Sequence, residues 1–218
     1  TGDAFIKGMA YSIYGGSCYY KGLFDDAKTH LLEWASSYEK SAPVAWISWG
    51  YGNSGSMHID LREYDDAVNC YRKVISIMEN VSFMPSIINL YQSCLVRAKV
   101  LRHDQDIELT ELFVCYQNNK LKWCEGWMAR NIGDILLKMD DDHLSNAETW
   151  LQKAIEADTR NGFMWQLAAD YASYADWFKK KEDIQGAKAQ LTKAIDLFRE
   201  CGADRWVTRT EQKMASLT

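Results

Sequence analysis

The same small residue returns at intervals of forty along this chain. Ala27, Ala67, Ala147 and Ala187 lie forty residues apart or a multiple of it, and Ile107 holds the remaining position. Each alanine has the same neighbours. Three residues before it stands Phe24, Tyr64, Leu144 or Ile184, and four residues after it Leu31, Tyr71, Leu151 or Leu191. Sixteen residues before it come Tyr11, Tyr51, Tyr91 and Tyr171, with Asn131 as the exception. Five units, at about 1–40, 41–80, 81–120, 121–160 and 161–200, account for all but a short tail. Recurrence at this period marks stacked copies of one supersecondary unit, not a single closed enzyme core.

Within each unit the apolar residues follow the α-helical period. Ala147-Glu-Thr-Trp-Leu-Gln-Lys-Ala-Ile aligns with Ala187-Lys-Ala-Gln-Leu-Thr-Lys-Ala-Ile, and the apolar positions i, i+4, i+7 and i+8 form one helix face. Each unit reads as two helices, A and B. The spans expected are 4–20 and 24–40, then 43–60 and 64–80, then 122–139 and 144–158, then 162–180 and 184–200. The third helix B, about 105–119, is expected to be short or slipped. It carries Asp104 and Glu111 at apolar positions, while Leu109, Leu112, Phe113 and Tyr116 offer a competing face. The two prolines, Pro43 and Pro85, fall where an A helix begins, a position that tolerates a missing N–H. Gly15 and Gly55 sit inside A helices, where each costs about 1 kcal/mol against Ala. Close packing of A on B is the reason expected for them. After Gly202 an amphipathic segment, about 203–216, is expected to cap the last unit, with Trp206, Val207 and Met214 inward and Arg205, Arg209, Glu211 and Lys213 facing water.

Composition removes several functions. No apolar run approaches the length needed to cross a bilayer. Net charge is −5 and the basic residues are scattered, so nucleic acid is not expected as a partner. Cys18, Cys70, Cys94, Cys115, Cys124 and Cys201 form no Cys-x-x-Cys pair and read as buried free thiols, which fits a cytoplasmic protein. Gly50-Tyr-Gly-Asn-Ser-Gly has the look of a dinucleotide loop but lies within a helix, not after a strand. Asp140-Asp141-Asp142-His143 lacks the Gly and the distal Glu of a calcium loop, and its acids are expected to cap the helix that follows. His30, His58, His103 and His143 are dispersed over different units. No catalytic residue, cofactor site or metal site is expected. The start, Thr-Gly-Asp-Ala-Phe, is read as the start of a piece excised from a larger protein.

The pattern resembles the tetratricopeptide repeat. That motif places an aromatic and a Gly in helix A, and an aromatic followed by Ala in helix B. Here Tyr11, Tyr51, Tyr91 and Tyr171, Gly15 and Gly55, and the four repeat alanines stand at those places. The period is forty, not thirty-four, and the closing proline is replaced by Glu39, Glu79, Asn119, Thr159 and Arg199. The stretch from Trp150 through Asp170-Tyr-Ala-Ser-Tyr-Ala-Asp-Trp to Glu200-Cys-Gly-Ala-Asp-Arg-Trp-Val is similar to a more particular architecture. It resembles the C-terminal repeat region of bacterial signalling proteins that join an ATPase module to a class III nucleotide cyclase.

The resemblance implies an all-α, right-handed superhelix of five helical hairpins with a C-terminal capping helix, one domain over residues 1–218. It implies a non-enzymatic interaction or sensor role, with a protein, a peptide or other domains of the same chain as partner. A free-standing adaptor is the alternative. In such arrays helix A lines a groove, and the inward offsets hold Trp49, Asn89, Gln92, Lys99 and Ile132 as candidate partner contacts. The lysine and asparagine clamp for a terminal carboxylate is missing. Ser12, Gly52, Gln92 and Ile132 stand at its key offset.

Overall fold

The computed structural model describes residues 2–37, 42–82, 84–104, 107–139 and 141–217. These residues form eleven α-helices and no strand. The chain divides into two compact units, residues 1–104 and 105–218. The division falls inside the third forty-residue unit, beside its weak helix B.

The first unit holds α1 (Gly2–Lys21), α2 (Phe24–Ser37), α3 (Val44–Asp60), α4 (Tyr64–Asn80) and α5 (Pro85–Leu101). Pro43 occupies the N-cap of α3 and Pro85 opens α5, as their missing N–H groups require. Helices α1 and α2 pair, as do α3 and α4, and α3 stacks on the first hairpin. The helical glycines mark the crossings. A Cβ at Gly15 would lie 2.8 Å from Leu31, and one at Gly55 would lie 2.6 Å from Tyr71. Ala27 and Ala67 are fully buried on the opposing helices. Between hairpins the key is Trp34. Its ring lies on Gly50, where a Cβ would come within 2.5 Å, and meets Tyr51 edge-on with centroids 5.2 Å apart.

The second unit holds α6 (Leu109–Gln117), α7 (Lys122–Met139), α8 (Leu144–Asn161), α9 (Met164–Lys180), α10 (Ile184–Glu200) and α11 (Asp204–Ala215). Helix α6 has nine residues, the shortest of the eleven. It begins only where the competing face begins, and it uses that face. Leu112 is buried, Phe113 stacks on Trp150 at 5.6 Å and Tyr116 meets the same ring edge-on at 4.7 Å. In α7 the crossing glycine is Gly133, set against Leu151, two residues before Ile135 at the position of Gly15 and Gly55. Helix α11 covers the last hairpin. Trp206 lies flat against Phe198 at 5.7 Å and edge-on to Trp165 at 5.4 Å, while Met214 packs on the Ala175, Ala187 and Leu191 cluster. Two of its cationic residues are not simply solvated. Arg209 lies over the Trp206 ring at 5.3 Å, and Lys213 donates to the Ala172 carbonyl at 2.9 Å and pairs with Asp176 at 2.8 Å.

Six helix ends close in the same way. In α9, the Glu182 N–H bonds to the Lys179 carbonyl and the Asp183 N–H to the Phe178 carbonyl. That double bond requires a left-handed residue at the turn. Gly22, Arg62, His103, Gly162, Glu182 and Gly202 fill the role with φ between 60° and 78°. Arg62 and Glu182 occupy the repeat position of Gly22, so the turn imposes on them a conformation that costs a non-glycine residue about 1–2 kcal/mol.

Candidate functional site

The inward row of helix A is where a tetratricopeptide-like array offers surface, and most of it is closed here. In α1, Ser12, Gly16 and Tyr19 are buried, and α3 packs over them. A Cβ at Gly16 would meet the Trp49 indole nitrogen at 3.1 Å and the Asn53 amide at 3.0 Å. In α3, Tyr91 covers Gly52 and donates from Oη to the Ser48 carbonyl at 2.7 Å. Ser56 shares a hydrogen bond with Tyr71 Oη at 3.0 Å, and Ile59 is buried. Small residues at these offsets let consecutive A helices approach closely, so surface that a larger groove would keep becomes core.

The sequence-expected residues separate accordingly. Trp49 on α3 is 39% exposed, with its ring tilted toward Tyr20 at 6.4 Å. Asn89, Gln92 and Lys99 lie on α5 and are half-buried. Asn89 stands at the same repeat position as Trp49, forty residues on. Gln92 and Lys99 follow it at helical spacing, so the three share a side of α5. Ile132 has to be withdrawn. It belongs to the second unit and is 0% exposed, enclosed where α7 packs on both α8 and α9, so no partner can reach it. Its inward neighbours Ala129 and Leu136 are buried with it.

A second constellation was not expected from sequence. His58, Glu63 and Asp66 bring potential ligand atoms within 4.8 Å of one another at the α3–α4 turn. Glu63 is already engaged. It accepts Lys28 Nζ on both oxygens at 2.7 and 2.9 Å, and its Oε2 lies 2.6 Å from His58 Nδ1. Lys28, with a smaller contribution from His58, holds the Glu63 carboxyl below its ordinary range. The ammonium supplies the positive charge a metal would bring, and the cluster joins α2, α3 and α4. Beside it a shallow cavity of about 370 Å³ lies between the turn at 62–66 and the end of α5 at 101–103. Arg102 lines it and is bound to Asp65 at 2.9 Å and to Asp104 at 2.7 and 2.8 Å. Arg102 in turn holds the Asp104 carboxyl below its ordinary range.

Asp140 lies outside the described residues. The N-cap of α8 is His143, whose side chain makes no capping hydrogen bond. Gly50 to Gly55 lie within α3. None of the six cysteines is in a disulfide, and only Cys18, Cys94 and Cys124 are buried as expected, while Cys70 and Cys115 are half-buried and Cys201 is exposed. Burial raises the thiols of Cys18, Cys115 and Cys201 and pushes Cys70 up to about 12, away from the thiolate range in which cysteines react. Among the described residues no helix is long and apolar enough to cross a membrane.

No curated protein sequence matches the chain. Residues 50–80, the later part of α3 and all of α4, match the tetratricopeptide repeat family. The fold is all-α and tetratricopeptide-like, and that resemblance points to protein–protein interaction.

Proposed function

We propose that the chain is a non-enzymatic recognition module that binds an extended protein segment across Trp49, Asn89, Gln92 and Lys99. The observation that carries this is Trp49, a large, stiff aromatic left 39% exposed on the inward row while its neighbours on that row are closed over. Aromatics in such settings dominate binding energy. The amides of Asn89 and Gln92 suit an extended backbone, and Lys99 suits an acidic side chain. The module serves as a sensor or coupling arm of a larger signalling ATPase or nucleotide cyclase in the bacterial cytoplasm. The run from Trp150 to Val207 and six cysteines outside any disulfide support that setting. ATPase or cyclase motifs elsewhere in the full-length gene are the expected finding.

The test uses peptides selected from a random display library on the full chain. Selected peptides should lose about 30-fold or more in affinity with Trp49→Ala, the scale of a binding hot spot. Gln92→Ala should weaken them as well. Leu32→Ala, at an exposed apolar residue of α2, should leave binding unchanged. A selection without binders, or binders indifferent to Trp49 and Gln92, contradicts the proposal.

A further inference from the structure

The second unit buries two carboxyls against one cation. Asp158 on α8 and Asp170 on α9 are both 0% exposed, and Arg130 on α7 is nearly so. Arg130 donates to Asp170 Oδ1 at 2.6 Å, to the Gln166 carbonyl at 3.0 Å and to Gln166 Oε1 at 2.6 Å. The Asp158 carboxyl lies directly on Gly126 of α7, where no side chain would fit, and faces the carboxyl of Asp170. Neither oxygen of Asp158 has a hydrogen-bond donor, and neither has Asp170 Oδ2. Two ionised carboxylates cannot occupy such a site side by side, because each lacks water and each repels the other. A single proton between them supplies the missing donor and leaves one negative charge to balance Arg130.

We propose that Asp158 and Asp170 share one proton and that this proton latches α8 to α9 and, through Arg130, to α7, so that the latch loosens as pH rises. The groups around the pair fit this reading. From α7 come Arg130 and Glu125, the latter tied to Arg160 at 2.6 Å. Helix α9 brings Gln166 and Asp170, and Tyr116 of α6 faces Glu125 and Arg160, not the pair. Burial raises both carboxyls, Asp170 well above its ordinary range, and Arg130 opposes that rise without cancelling it. The sign follows. The folded chain keeps a proton that the unfolded chain releases above about pH 4. The unfolded state therefore binds fewer protons, and stability falls as pH rises from there through the raised range.

The test is amide hydrogen exchange in α8 and α9 of the full chain, read as a local opening constant between pH 5 and 9. In the unaltered protein that constant should rise by up to about tenfold per pH unit while the pair loses its proton. In Asp158→Asn the amide donates to Asp170 and has nothing to release, so the rise should disappear. Parallel pH profiles for the two proteins overturn the proposal. Carbon-13 carboxyl titration of the unaltered protein gives the answer even if the variant fails to fold. The pair should retain one proton above the pH at which a free carboxyl is fully ionised, and two carboxyls that both ionise in the ordinary range overturn the latch.

Discussion

Trp34→Ala is expected to cost about 3–5 kcal/mol in the first unit. Trp34 is 0% exposed and is the side chain on which α3 seats against the first hairpin, with its ring on Gly50 and beside Tyr51. Removing it leaves a cavity that Gly50 cannot fill. Relaxation is limited, because α3 is also held by Tyr19 Oη donating to Asp60 at 2.9 Å. Trp34→Phe is the informative control. The buried indole N–H has no acceptor, so its loss gives up no hydrogen bond, and the smaller ring should cost only about 1 kcal/mol. Urea unfolding combined with hydrogen exchange in α2 and α3 measures both. Equal losses for Ala and Phe would mean that the ring does not fill the space between the hairpins.

The second large effect is expected at Arg130. Arg130→Met should cost about 3–5 kcal/mol at neutral pH, because it leaves buried carboxyls without their cation. The loss should shrink in acid, where both Asp158 and Asp170 are protonated and nothing charged remains to be compensated. A cost independent of pH would mean that Arg130 acts through packing alone. The readout is unfolding of the second unit, followed by hydrogen exchange in α8 and α9, with the unaltered protein as reference at each pH.

Much of the fold is legible in the sequence because the repeat and the helical period agree. The expected ends of α4, α7 and α10 coincide with the observed ones, and α8 runs three residues longer than expected. Asp104 and Glu111 correctly mark the weak helix B, since each would place a charge on its buried face. The turns are legible only where glycine fills the left-handed position. Arg62 and Glu182 adopt it with no sign in their own chemistry, and only their register with Gly22 betrays it.

The candidate site is less legible. An apolar residue at an inward offset looks alike whether it lines a groove or is core. Ile132 is buried because α7 packs on both α8 and α9, and a one-dimensional offset does not carry that information. Arg130, Asp158 and Asp170 were missed because they span forty residues and fit no ligand spacing. A signal did exist. Arg130 and Asp170 stand at the repeat position of Gly50 and Leu90, and Asp158 at that of Met78 and Phe198, all of them buried. A charge at a core position of a repeat points to a partner charge in the neighbouring unit. Lys28, His58 and Glu63 were missed for a related reason, since their meeting depends on α2 lying beside the α3–α4 turn.

The forty-residue register is tested most directly by one comparison of substitutions on α10. Ala187 is fully buried at the crossing of α9 and α10, and Ala189, two residues along the same helix, is exposed. Ala187→Leu should cost about 1–3 kcal/mol by overpacking. Ala189→Leu should stay within about 0.5 kcal/mol of the unaltered protein. Equal stabilities for the two variants in urea unfolding would contradict the register from which every helix pairing described above follows.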